Sequence, residues 1–152
     1  MKGPGTYILV IELEQECAIR VGALGTLAFG AGYYLYVGSA LNGLGSRLAR
    51  HLRRDKRRHW HIDYLLEHAR VVEVWCARGP GRRECTWARV LQSIPCIVPS
   101  VRRFGASDCR CRTHLSFSVT RPEVDEFRAL LQAGGALEVM CPGQGHSAPP
   151  LR

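Results

Sequence analysis

Residues 33–51 read YYLYVGSALNGLGSRLARH, and their pattern changes at Gly43. The first five, YYLYV, are aromatic or apolar, which is typical of a buried β-strand. After Gly43, Leu44 and Leu48 lie four residues apart and arginines fill the other face, as on an amphipathic helix. Glycines between the two patterns favour a turn. The stretch therefore predicts a strand followed by a helix.

Segments on both sides of this stretch extend it into a mixed fold. Residues 6–13 (TYILVIEL) are β-branched and apolar and residues 17–21 alternate, so both predict strands that join YYLYV in an antiparallel sheet. Further helices are predicted at 60–68, 84–92 and 122–133, and further strands at 71–77 and 114–119. The expected fold class is α/β of the α+β type, with a small central antiparallel sheet flanked by helices.

The length and composition fit one compact domain. At 152 residues, of which 46% are apolar, the chain can form one core but not two full domains. The domain is expected to cover residues 5–133. Residues 134–152 are rich in glycine and proline and are expected to form a disordered tail. No run of about 18 apolar residues occurs, so a cytoplasmic protein without a membrane span is expected.

The chain is strongly basic. Its 21 Lys and Arg residues outnumber 13 Asp and Glu residues, leaving a formal charge of +8 that favours polyanionic partners. Nucleic acid is the first expectation, DNA before RNA, and an anionic membrane surface the second. Seven basic residues lie between Arg47 and Arg58 against one acid, which indicates a phosphate-binding track or, more simply, a solvated face. The expected phosphate contacts are Arg50, Arg53, Arg54, Lys56, Arg57 and Arg58.

Three short motifs carry a resemblance to a known family. They are Gly5-Thr6-Tyr7, Tyr36-Val37-Gly38, and the predicted helix that carries Arg47 and His51. Here the sequence resembles the GIY-YIG nuclease superfamily, whose hallmark is two tyrosine tripeptides on paired strands, followed by a helix bearing Arg and, four residues on, His or Tyr. The strings GYYLYVGSA, HWHIDYLL, ECTWAR and FGASDCRCRTHL more narrowly resemble a branch called domain of unknown function 123, sometimes fused to endonuclease III-type repair enzymes. The resemblance covers roughly residues 5–120.

The resemblance implies a metal-dependent endonuclease that acts on DNA. The implied catalytic residues are Tyr7, Tyr36, Arg47, His51 and Glu84, with Glu84 holding Mg²⁺ or Mn²⁺. A later histidine of some members falls near His59 or His61, and the sequence leaves both open. The family's late asparagine has no clear match in this sequence, and Ser107 or Asp108 lies in about the right region.

The residue types suit phosphodiester hydrolysis. Arg47 and His51 lie four residues apart, so they share one face of the predicted helix. Hydrolysis needs a base for the attacking water, a cation beside the developing charge and a stabiliser for the leaving oxygen. Tyr36 or His51 could be the base, Arg47 the cation, and a metal ion the stabiliser. The simpler interpretation is that the tyrosines belong to the core and that Glu84 is a surface residue favoured by a helix N-terminus.

Two features depart from a minimal domain of this kind. The two tyrosine tripeptides are separated by residues 8–35, and this long insertion predicts an extra β-ribbon between them. Cys109, Cys111 and His114 could supply three zinc ligands, with His59, His61 or Cys85 as the fourth, or else form a tight turn with packed thiols. Zinc is therefore a second candidate metal.

Three functions follow from these patterns. The first is a DNA endonuclease, acting in DNA repair if the fused relatives are a guide. The second is a nucleic-acid-binding module of the same fold that does not cleave. The third is a zinc-stabilised domain that docks on a DNA-repair protein. The first requires its five catalytic candidates to converge on one open basic cleft.

Overall fold

The computed structural model of the protein describes residues 2–107, 109–131 and 136–142. These residues form a six-stranded antiparallel sheet, a separate two-stranded ribbon and four α-helices, which confirms the predicted fold class. The strands are β1 (Gly5–Leu13), β2 (Cys17–Arg20), β3 (Thr26–Phe29), β4 (Gly32–Ala40), β5 (Arg70–Arg78), β6 (Val98–Pro99), β7 (Leu115–Ser118) and β8 (Glu138–Met140). The helices are α1 (Leu44–Leu52), α2 (His61–Leu66), α3 (Glu84–Gln92) and α4 (Val124–Leu131).

Strand β1 lies at the centre of the sheet, whose order is β6-β7-β4-β1-β5-β8. Because successive side chains of a strand point to opposite faces, Tyr7 and Leu9 pack on one side while Ile8 and Val10 pack on the other. Helices α1 and α2 cover the first side, and α3 and α4 cover the second. Both faces of β1 are therefore buried, which explains why its sequence is an almost continuous apolar run.

The insertion between the tyrosine motifs forms the predicted ribbon. Strand β2 pairs with β3 and not with the main sheet, so the expectation that residues 17–21 join the central sheet was wrong. Ile19 and Phe29 point inward and join the core on the α1 and α2 side. Because the ribbon folds back on itself, β1 and β4 can pair directly across it.

The end of the domain differs from the prediction. Residues 138–140 form β8, which pairs with β5, so they belong to the sheet and not to a disordered tail. Residues 136–137 and 141–142 flank β8. The rest of the predicted tail, 134–135 and 143–152, lies outside the described residues. Within the described part of the chain, no helix is long and apolar enough to cross a membrane.

Candidate active site and metal cluster

The pairing of β1 with β4 brings the two tyrosine motifs together. Tyr7 is opposite Gly38 and Tyr36 is opposite Leu9, so the two tyrosines lie on the same face of adjacent strands. The Tyr7 hydroxyl is 2.7 Å from Nε2 of His51, a residue of α1 that is itself buried. The tyrosine on the first strand is thus tied to the helix that follows the second motif.

Gly38 is the residue that makes room for the Tyr7 ring. A Cβ atom at position 38 would lie 2.5 Å from both Cζ and the hydroxyl oxygen of Tyr7, which is far inside contact distance. Only a residue without a side chain leaves the ring in this position.

We expect Gly38→Ala to lower the free energy of unfolding by about 1–3 kcal/mol, the usual cost of overpacking, and to displace the Tyr7 hydroxyl from His51. Thermal and denaturant unfolding would measure this effect. Gly30→Ala is the matched control, because a Cβ atom there meets nothing within 4 Å. Equal stability of the two variants would contradict this packing.

Arg47 projects from the same helix as His51. Its Nη1 donates a hydrogen bond to the backbone oxygen of Ser39 at 3.2 Å, and its guanidinium lies over the Trp60 ring, 4.4 Å from the centroid. A cation held by an aromatic face and a carbonyl keeps a defined orientation. Trp60 was not among the predicted site residues.

Burial controls the protonation of the aromatic groups. It raises the pKa of Tyr7 to about 12, although Arg47 acts in the opposite direction. Burial also raises the pKa of Tyr36. It lowers the pKa of His51 to about 3, and Nδ1 of this ring has no hydrogen-bond partner among the described residues. At neutral pH all three groups are uncharged, and the positive charge beside them belongs to Arg47.

Glu84 opens α3 and reaches across to β4. The Ser39 hydroxyl donates a hydrogen bond to Oε2 of Glu84, and the Ser39 carbonyl accepts the bond from Arg47. Ser39 therefore connects the proposed metal ligand with the proposed cation. Ser39 was not among the predicted site residues, although its position directly after Gly38 is a signal that could have identified it.

One cleft of about 570 Å³ collects most of the predicted residues. Tyr7, Tyr36, Arg47 and Glu84 all line it, while His51 does not line it and lies behind Tyr7. The cleft thus joins side chains from β1, β4, α1 and α3. Its other polar lining residues include Ser39, Asn42, His59, His61, Arg82, Cys85, Ser107, Cys109 and His114.

The two histidines that the sequence left open have different environments. His61 Nδ1 accepts a hydrogen bond from the backbone N–H of Gly105 at 3.0 Å, and burial lowers its pKa. The neutral ring therefore carries its proton on Nε2. His59 is exposed at the rim. Of the two later candidates near the family's asparagine, Ser107 lines the cleft and Asp108 lies outside the described residues.

A Cys3His cluster adjoins the cleft. The ligand atoms of Cys85, Cys109, Cys111 and His114 all lie within 4.8 Å of one another, so the cluster could hold a metal ion. Nε2 of His114 is 3.4 Å from the sulfur of Cys109 and 3.7 Å from that of Cys85. Cys85 is thus the fourth member, among the three alternatives that the sequence left open. Glu84 precedes it directly in α3.

The basic segment divides into two groups. Arg50 forms two hydrogen bonds with the buried Asp63 carboxylate, at 2.9 and 3.0 Å, and the Lys56 ammonium donates to the backbone oxygens of His51 and Arg53. Arg50 and Lys56 therefore make contacts within the protein, which they would have to give up to bind phosphate. The exposed members of the predicted track are Arg53, Arg54, Arg57 and Arg58.

The fold and the cleft define a small α+β domain with a polar, arginine-bearing cleft beside a cysteine-rich cluster. A protein-family model described as domain of unknown function DUF123 matches residues 6–135, and the chain belongs to that family. No curated protein and no solved structure matches the chain.

Proposed function

We propose that this protein is a metal-dependent endonuclease that hydrolyses phosphodiester bonds in DNA. The observation that carries the proposal is the convergence of Tyr7, Tyr36, Arg47 and Glu84, from four different elements, on one cleft. The resemblance of their motifs to those of the GIY-YIG nucleases supports the same function. The net charge of +8 favours a polyanionic substrate.

Glu84 is the residue that would hold the catalytic ion. Glu84 is the one carboxylate that lines the cleft among the described residues, and a hard ion such as Mg²⁺ or Mn²⁺ takes one or two carboxylates and completes its shell with waters and phosphate oxygens. When bound, such an ion supplies charge stabilisation to the phosphoryl and leaving oxygens. Ser39 orients the carboxylate through its hydrogen bond to Oε2.

The remaining side chains divide the chemistry. The Arg47 guanidinium contacts the phosphate and stabilises the charge that develops on it. His51, with a pKa of about 3, is a poor proton acceptor, so we assign it to holding the Tyr7 hydroxyl in place. The base is then a tyrosine of the cleft, Tyr7 or Tyr36. The pKa of each stays raised although Arg47 already lowers it, so the added positive charge of the ion would have to lower it further.

The Cys3His cluster calls for a different ion. Thiolate ligands select soft or borderline metals, whereas carboxylate and water select hard ones. We therefore propose zinc for Cys85, Cys109, Cys111 and His114, and magnesium or manganese for Glu84.

A binding module that does not cleave is the alternative, and the raised pKa values of both tyrosines favour it. Incubating purified protein with supercoiled plasmid and Mn²⁺ separates the two functions. Nicked or linear product that disappears with EDTA is expected. If retardation of the plasmid occurs with every divalent metal but no product forms, the binding module is the better account. If neither occurs, a zinc-stabilised domain that docks on a repair protein becomes the leading function.

The exposed arginines allow a prediction about affinity. Replacing Arg53, Arg54 and Arg57 with alanine should flatten the plot of log affinity against log salt, because each duplex phosphate neutralised contributes a slope of roughly 0.9. Arg58 is left in place because it already pairs with Glu67. Fluorescence anisotropy with a labelled duplex measures this slope. The control removes the same charge from three arginines that also pair with acids, and its slope should stay close to wild type: Arg70, Arg121 and Arg128. A flatter slope in the control alone would place the binding face elsewhere.

A further inference from the structure

We infer that Cys85, Cys109, Cys111 and His114 bind one Zn²⁺ ion in a closed, structural site that fixes the wall of the cleft bearing Glu84. The role of Glu84 rests on the proposed function. The metal site itself rests on the geometry of the four side chains and stands without it.

The donor atoms lie close to the spacing that zinc requires. Bonds of about 2.3 Å to sulfur and about 2.0–2.1 Å to nitrogen, set at the tetrahedral angle, place sulfur and nitrogen about 3.6 Å apart. Nε2 of His114 lies 3.4 Å and 3.7 Å from the sulfurs of Cys109 and Cys85. All four donor atoms lie within 4.8 Å of one another, and the cysteines form no disulfide. Small movements would complete the tetrahedron.

The number of ligands decides the role of the ion. Catalytic zinc sites keep one position open for water or substrate, whereas structural sites are closed by four protein ligands. Three cysteines and one histidine fill the tetrahedron. This zinc therefore leaves the chemistry to the Glu84 side of the cleft.

The loop that carries three of the ligands is organised by its own backbone contacts. Arg103 donates hydrogen bonds from its guanidinium to the backbone oxygens of Cys109 at 2.8 Å and Cys111 at 3.2 Å. Its own φ is +67°, the one positive value among the described residues other than glycine. The His114 backbone is held by Phe104 and by Val37 of β4. These contacts hold the backbone that carries the three ligands.

The cluster links this loop to the catalytic candidates. Cys85 follows Glu84 in the first turn of α3, so the ion would join that turn to the loop 101–114. The same loop touches the tyrosine side of the cleft, since a Cβ atom on Gly105 would lie 2.8 Å from the Tyr36 ring and the Gly105 N–H bonds to His61. The ion would therefore hold Glu84 and Tyr36 in a fixed relation.

Metal analysis of the purified full-length protein tests the site directly. Elemental analysis by mass spectrometry should find one zinc ion per chain, and Cys109→Ser and Cys111→Ser should reduce it to near zero. Cys96→Ser and Cys141→Ser are matched controls, because these cysteines are exposed and outside the cluster. Should a variant fail to fold, Co²⁺ replacement in the wild-type protein gives a second readout, expected to show thiolate charge-transfer bands and the intense visible bands of tetrahedral cobalt. Native protein without zinc that also gives no such cobalt spectrum would overturn the inference.

Hydrogen exchange tests the structural role without any activity measurement. Removing zinc should increase exchange in the loop 101–114 and in the first turn of α3, while the amides of β1 and β4 stay protected. Unchanged exchange in the loop would show that zinc does not have this structural role. The proposed nuclease fails separately: a protein that binds zinc and shows the exchange effect, but never cleaves DNA, keeps this inference and loses the proposed function.

Discussion

Glu84→Gln is expected to abolish DNA cleavage and to leave DNA binding at or above the wild-type level. The substitution keeps the size of the side chain and its ability to accept a hydrogen bond from Ser39, but it removes the charge that would attract the divalent ion. Loss of an ion that supplies several kcal/mol of transition-state stabilisation lowers the rate by roughly 10³-fold or more. Binding should persist because a negative charge facing the phosphates has been removed.

Single-turnover cleavage of plasmid and anisotropy with the same DNA measure the two quantities. Glu123→Gln is the matched control, since Glu123 is exposed, lies outside the cleft and should leave both unchanged. Arg47→Ala should behave differently and weaken binding as well as cleavage, because one guanidinium would contact the phosphate in both the ground and transition states. Wild-type cleavage rates in Glu84→Gln would remove Glu84 from the active site.

Asp63→Ala is expected to lower the free energy of unfolding by about 3–5 kcal/mol, the usual cost of removing one partner from a buried ion pair. The Asp63 side chain is 0% exposed and accepts two hydrogen bonds from Arg50. It also accepts hydrogen bonds from the backbone N–H groups of His59 and Trp60, two donors that directly precede α2. Denaturant unfolding measures the loss.

Asp125→Ala is the matched control for Asp63→Ala. Asp125 also pairs with an arginine, but its side chain is 83% exposed, so the expected change is within about 1 kcal/mol. A comparable loss in both variants would show that burial of the Asp63 pair is not the cause.

The Asp63 pair also makes stability depend on pH. Burial raises the pKa of Asp63, but the hydrogen bonds from Arg50, Trp60 and His59 outweigh it and leave the pKa below the usual 3.8. A lowered pKa stabilises the fold above the unfolded-state value, and this contribution is lost as pH falls through the folded-state value. His51 acts in the same direction, because below about pH 6.5 the unfolded state takes up a proton that the buried ring does not accept until about pH 3, and this penalty on the folded state grows as pH falls. The free energy of unfolding, measured by denaturant titration at a series of pH values from 7 to 3, should therefore decrease steadily.

Local patterns in the sequence predicted most of the secondary structure. The spacing of α3 predicted residues 84–92, and the structure has the same bounds. The apolar run of β1 predicted 6–13 against an observed Gly5–Leu13. Such elements are predictable because hydrophobic periodicity and the exclusion of proline act within a few residues of chain.

The partners of individual side chains were less predictable. Arg50 looked like one more member of a basic track, yet its charge is neutralised by Asp63, which no spacing rule connects to it. In the same way, sequence proximity suggested a site at Cys109, Cys111 and His114 but left Cys85 as one of three candidates for the fourth position. Which cysteine or carboxylate completes a site depends on where a distant element packs.

The sequence by itself determined the helices and most of the strands, the basic charge and the motifs that led to five candidate residues. Only the tertiary structure decided that four of these residues share a cleft, that His51 lies behind Tyr7, and that Ser39 joins Glu84 to the Arg47 side. The physical reason is that strand pairing across the inserted ribbon, and the packing of α1 and α3 on opposite faces of the sheet, are long-range choices. Strand pairing and helix packing depend on which faces of the sheet and helices are buried together, and no short window of sequence contains that information.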